Sequence, residues 1–150
     1  MIERYHQVAR SYLVRHGYTG KKLEEVLNGF DLRAPTYEQS LDPKTTLYQF
    51  VRRVAHESPI PRLGNWFCLP GASMRALAII SGGAGRAVAK VHVDYPLLAL
   101  EGTAAPQPRQ WSWSGGGPGG ATQIFVPEQF LMTHFSVVGY DTDFKDIVGP

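Results

Sequence analysis

Apolar residues recur at three- and four-residue spacing up to about residue 30, and from Thr45 short runs rich in β-branched and aromatic residues take over. That change of period fixes the order of the elements: helices first, strands after. In the first part Ile2, Tyr5, Val8, Ala9, Tyr12 and Leu13 share one helical face, Glu3, Arg4, Gln7 and Arg10 fill the other, and Gly17 is a natural stop. A second helix is expected after Thr19, with Leu23, Val26 and Leu27 on one side and Asn28-Gly29 at its end. Phe30 to Asp42, broken by Pro35 and closed by Asp42-Pro43, reads as irregular. Strands are expected at Thr45–Val51, Asn65–Leu69, Val88–Tyr95, Leu97–Leu100, Gln123–Val126 and Met132–Val138, with one short helix at Met74–Ile80. The expected fold class is α+β: N-terminal helices followed by a bent, mostly antiparallel split β-sandwich. One domain, residues 1–150, accommodates it, with residues 1–30 a helical preface and 45–140 the β core.

Several function classes lose their footing on composition. A formal charge of +2 with scattered Lys and Arg lacks the basic stripe of a dedicated nucleic-acid binder. The single cysteine, Cys68, has no internal disulfide partner, and its neighbours Phe67, Leu69 and Pro70 suggest a small buried hydrophobe. Five histidines without close spacing, and no H-E-x-x-H or C-x-x-C, argue against a metal site. The opening MIERYHQVARSYL does not read as a Sec signal, and no apolar run approaches the ~20 residues that span a bilayer, so no membrane insertion is expected.

Gly is abundant, at 16 residues, and two stretches concentrate it. Ser81-Gly82-Gly83-Ala84-Gly85-Arg86 has the backbone donors and the cation of a phosphate cradle. Its helix–Gly–strand order is nevertheless the reverse of a dinucleotide fingerprint, and a plain connecting loop is the competing reading. Gly115-Gly116-Gly117-Pro118-Gly119-Gly120 follows Trp111 and Trp113, and large aromatics beside a flexible loop suggest that it covers a ligand. Directly after it, Gln123 stands where the loop becomes a strand, a construction that aims a polar group from a rigid element into a site.

From Leu98 the run LALEGTAAPQPRQWSWSGGGPGGATQIFVP resembles the C-terminal part of NAD(P)⁺ glycohydrolase toxins, among them type VI secretion effectors of the polymorphic-toxin class and, more distantly, the tuberculosis necrotizing toxin. Gly119-Gly120-Ala121-Thr122-Gln123-Ile124-Phe125 fits their G-G-x-x-Q element. Thr46 to Arg52 and Gly64-Asn65-Trp66-Phe67 resemble their opening strand and G-x-[WY]-F element. The likeness spans roughly residues 30 to 128 and leaves the helical preface outside. It implies an ADP-ribosyltransferase-like fold, with NAD or NADP as substrate and no metal. It also implies Gln123 at the nicotinamide ribose, where transferases more often carry Glu. Further implied are a cognate immunity protein, a delivery apparatus or larger parent polypeptide, secretion by a non-Sec route, and action in the cytoplasm of the target cell.

Around Gln123 the residues offer further candidates. Gln49, a polar residue in a half-buried strand, is a second catalytic candidate; Tyr48, which faces the opposite side from it, is a candidate for binding the dinucleotide. Arg52 or Arg53 would suit a phosphate, as would Arg86. Asn65 could bind the carboxamide or close a turn, and of Trp66 and Phe67 one is expected to pack in the core while the other, like Trp111, is free to stack on a ligand. No Glu-x-Glu pair precedes the last strand, so the mark of arginine-directed transferases is missing. Three readings follow: an NAD(P)⁺ glycohydrolase; an ADP-ribosyltransferase with a macromolecular acceptor; and a non-catalytic binding module.

Overall fold

In α1 (Ile2–Arg15), Ala9, Tyr12 and Leu13 are fully buried, as the three–four spacing requires. Gly17 takes φ +90°, a left-handed conformation that ends the helix at little cost for a residue without Cβ. α2 (Gly20–Asn28) follows at once and buries Leu23 and Leu27. The computed structural model describes residues 2–52, 63–69, 86–105 and 119–141; the expected helix at Met74–Ile80 and the glycine stretch from Ser81 lie outside them.

Seven antiparallel strands follow among the described residues: β1 (Tyr37–Leu41), β2 (Thr46–Arg52), β3 (Trp66–Cys68), β4 (Arg86–Val93), β5 (Leu97–Thr103), β6 (Thr122–Phe125) and β7 (Phe135–Asp141). A single turn of helix, α3 (Glu128–Leu131), separates the last two. They form one sheet in the order β1-β5-β6-β3-β2-β4-β7. Six strands were expected close to where they stand. β1 was not, and its composition explains why: of Tyr37-Glu38-Gln39-Ser40-Leu41 only Leu41 is buried, because the strand lies at the sheet edge and pairs with β5 alone. Between β1 and β2, Asp42-Pro43-Lys44-Thr45 forms the expected turn, closed by Thr45 N–H to the Asp42 carbonyl (3.1 Å), with Lys44 at φ +74°.

The sheet is made of two halves. β5, β6 and β3 run in continuous register on one side; on the other β2 and β4 do so, and β4 and β7 pair with a register shift between Lys90 and Val91. β2 and β3 share only the pair Tyr48–Cys68. Curvature follows from packing. The rings of Phe67 on β3 and Phe135 on β7 stack 5.1 Å apart although β2 and β4 lie between them in the sheet. Three strand spacings would set those strands about 14 Å apart if the sheet were flat. The strands therefore curl around a core that gathers Leu97 and Ile124 from one half with Leu47, Val91 and Val93 from the other. This is the bent, split α+β architecture expected from the sequence.

The outer face of the first half carries the helices. There Tyr12, Leu13, Leu23 and Leu27 meet Phe30, Leu100 and Phe125. Tyr12 donates from its hydroxyl to the Leu98 carbonyl (2.6 Å), and burial raises its pKa well above the usual phenol value. The helical preface is thus half of one core and not an appendage. No helix among the described residues is long and apolar enough to cross a membrane.

Two predictions follow from this packing. At Gly102 on β5 a Cβ would meet the Phe30 ring at 2.7 and 2.9 Å and Thr36 Oγ1 at 3.0 Å, whereas at Gly139 on β7 it would meet nothing within 4 Å. Gly102→Ala is expected to lower stability in urea denaturation by about 1–3 kcal/mol, and Gly139→Ala to stay within about 0.5 kcal/mol of the parent. His16, packed on Tyr12 and Phe130, has its pKa lowered from 6.5 by burial first and by Arg15 second. Its neutral form is the one the fold prefers, so its contribution is complete above pH 6.5 and is lost as pH falls through the lowered folded value. His16→Gln should flatten that part of the pH–stability curve; an unchanged curve would exclude the effect.

Candidate active site

Gln123 is the second residue of β6 and is buried, with 6% of its surface exposed. Its face is set by Phe125, two residues on, which packs under the helices. Residues directly opposite in an antiparallel ladder project to the same side, so the register defines a row across the sheet: Gly102, Gln123, Cys68, Tyr48, Lys90 and Gly139. The row crosses the seam between the halves at Cys68–Tyr48. At about 4.8 Å per strand, Tyr48 lies roughly 10 Å and Lys90 roughly 14 Å from Gln123 along the sheet. Tyr48 is buried and Lys90 exposed.

The Gln123 amide is held by α2. Its Nε2 donates to the Gly29 carbonyl, which also accepts from Ala105 N–H (3.0 Å). Gly29 caps α2, so this carbonyl lies at the electronegative end of the helix and calls for a donor. A glutamine supplies one; an ionised glutamate does not. That is a physical reason for an amide rather than a carboxylate at this position.

Gly29 has a second duty. A Cβ there would fall 2.8 Å from two carbons of the Trp66 indole. Trp66 thereby rests on the end of α2, tilted against Phe30 (ring centroids 5.1 Å) and edge-on to Phe125 (5.0 Å). Trp66 and Phe67 split between the faces as expected, and the split corrects one candidate: Phe67 is 1% exposed in the inner core, stacked on Phe135, and has no path to a ligand. Trp66 is half-buried and lines a cavity of about 250 Å³ together with Tyr18, Lys22, Glu25, Val26, Asn65, Phe125 and Glu128. Gln123 is not among its lining residues.

The remaining candidates fall as follows. Gln49 faces the inner core with both amide protons engaged, Nε2 donating to the carbonyls of Gly64 (2.8 Å) and Trp66 (2.9 Å), while Gly64 N–H donates to Oε1 (2.8 Å). It takes the place of the ladder that β2 and β3 do not form beyond Tyr48–Cys68, which makes it a clamp on the start of β3. Asn65 donates to the Val126 carbonyl (2.9 Å) and toward the Tyr18 hydroxyl (3.5 Å), closing the turn into β3. Arg52 and Arg86 are paired by register at the ends of β2 and β4; Arg53 and Trp111 lie outside the described residues. Cys68 is buried, and desolvation pushes its thiol up to about 12, so it stays protonated. Glu101 accepts from the Tyr37 hydroxyl and, one residue before Gly102, points to the opposite face from Gln123.

Gly29 and Lys90 were not foreseen as parts of this arrangement. The alternation of Lys90 and His92 against Val91 and Val93 gave their face, but not their neighbours, which depend on the pairing of β2 with β3 across a long sequence gap.

No protein-family model matches the chain, and no curated protein matches it. Solved structures do. The structure of Tse6 in complex with Tsi6 has a TM-score of 0.70 at 22% identity, covering 92% of this chain and 96% of that one. The structure of Rhs1-CT in complex with its cognate immunity protein RhsI1 has a TM-score of 0.51 at 14% identity, covering 87% and 89%. The fold is shared with both. The 8% of this chain outside the first match is shorter than α1, so the helical preface lies at least partly inside the shared fold, contrary to the narrower span suggested by the sequence.

The Gln123–Gly29 bond makes a signed prediction. Gln123→Glu should lose about 1–3 kcal/mol at pH 8, where a carboxylate faces the carbonyl and donates nothing. The loss should shrink toward pH 5, because the protonated acid can donate. A pH-independent difference in urea denaturation would show that the bond does not orient the amide.

Proposed function

We propose that the chain is the toxin domain of a bacterial effector that hydrolyses the bond between nicotinamide and ribose in NAD(P)⁺, with water as acceptor. The observation that carries the reading is the place of Gln123. It is a buried amide two residues after Gly119-Gly120-Ala121, at the start of β6, anchored through Nε2 and in line with Tyr48 and Lys90 across the seam. The position agrees with the G-G-x-x-Q resemblance, and the fold shared with Tse6 and Rhs1-CT, each solved with Tsi6 or a cognate immunity protein, supports the toxin part of the proposal.

In this reading Oε1 of Gln123 accepts from a hydroxyl of the nicotinamide ribose. As the glycosidic bond breaks, its electron pair leaves with nicotinamide and positive charge develops on the ribose. An acceptor already fixed in place stabilises that charge without reorganising. Water adds to the ribose carbon and loses its proton to solvent, giving ADP-ribose (or its phosphate) and nicotinamide. Gln49 and Asn65 act as positioning residues for β3, and Arg52, Arg53, Arg86 and Trp111 remain the groups assigned to the dinucleotide; Trp66 faces a different cavity. An immunity protein that covers the site is the partner proposed by the same likeness.

Incubation of the purified domain with NAD⁺ alone tests the reaction. Release of nicotinamide without any added target is expected, and Gln123→Ala, checked for folding by circular dichroism, should slow it about 10²-fold or more. Release that requires cell extract and leaves label on macromolecules would replace hydrolysis by transfer. No release from either dinucleotide would leave a non-catalytic binding module.

A further inference from the structure

The cavity beside Trp66 has a composition of its own. Lys22, Glu25 and Val26 come from one face of α2 at helical spacing, Asn65 and Trp66 from the start of β3, Phe125 from the end of β6, and Glu128 from the first turn of α3. Tyr18, from the link between the helices, stands edge-on to Phe125 at 5.4 Å. Its hydroxyl accepts from Glu128 N–H (3.2 Å), which ties α3 to the rim. Three aromatic rings thus line a space ringed by two carboxylates and one ammonium.

Size and charge narrow the occupant. At about 250 Å³ the cavity is smaller than the roughly 300–1,000 Å³ of ordinary small-molecule pockets. It suits one long side chain rather than a dinucleotide. An anion would meet Glu25, Glu128 and an aromatic lining with only Lys22 to receive it. A cation meets the two carboxylates beside aromatic rings that attract positive charge. The amide nitrogen of Asn65 is engaged with Val126 and Tyr18, so what that side chain has left to offer is its oxygen, again an acceptor. A flat guanidinium, weakly hydrated and rich in donors, matches an aromatic lining flanked by acceptors better than a compact ammonium does.

We propose that this cavity is a docking pocket for an arginine side chain of a partner protein. The pocket is separate from the Gln123 row, since neither Gln123, Tyr48 nor Lys90 lines it. Its occupancy therefore stands or falls independently of nicotinamide release.

The probe is N-acetyl-arginine amide, titrated into the whole domain while the indole N–H resonance of Trp66 is followed by NMR, assigned by its loss in Trp66→Phe. Saturable movement of that resonance is expected, with N-acetyl-citrulline amide, the neutral isostere, producing none. The double variant Glu25→Gln/Glu128→Gln alters two exposed side chains and should weaken binding about fivefold or more. Equal binding of the citrulline probe, or unchanged affinity in the double variant, would overturn the role of charge. Free arginine binding much more tightly than the capped form would overturn the partner-protein source in favour of the amino acid itself. Absence of any movement would remove the pocket.

Discussion

The curl of the sheet is the constraint on which the other features depend. A flat seven-stranded sheet would leave one apolar face open. Here the curl brings Phe67 onto Phe135 across that face, and Phe130 and Leu131 of α3 pack into the same core. Pairing along the curled sheet is thinnest between β2 and β3. There the backbone ladder shrinks to one pair and the Gln49 side chain takes up the carbonyls and the N–H that the strands no longer offer each other. Unpaired backbone groups in such a place would be costly. The buried glutamine removes that cost and lets the two halves diverge.

The helices then serve the site as much as the core. α2 ends on a glycine whose carbonyl holds Gln123 and whose missing side chain admits Trp66. One residue, close in sequence to neither partner, therefore orients both an amide proposed for catalysis and an aromatic ring facing a separate cavity. Gly102 repeats the device one strand away, where the absence of a side chain accommodates Phe30 beside Gln123. The fold shared with Tse6 and Rhs1-CT extends over 92% and 87% of the chain.

Much of the fold was legible because its signals are local. The buried faces of α1 and α2, the alternation of Val91 and Val93 with Lys90 and His92, and the Asp42-Pro43 turn are all written within a few residues. β1 escaped because an edge strand with one buried residue carries no alternation. For the site, local pattern located Gln123 at a loop-to-strand junction and divided Trp66 from Phe67 by parity, without saying which would be buried. It could not give the engagement of Gln49, whose three bonds reach residues 15 to 17 positions away. Nor could it give the meeting of Gln123 with Gly29, 94 residues apart in the chain. Those contacts are products of the curl and the helix layer, not of composition.

Cys68 sits between Gln123 and Tyr48 in the row, the chain's sole thiol, buried and kept protonated. The thiolate is the form that attacks an oxidant or a disulfide, and a buried, protonated Cys68 does not supply it; no second cysteine exists with which to cross-link internally. Disulfide exchange therefore finds no foothold in the row that holds Gln123 and Tyr48, whatever the thiol balance around it.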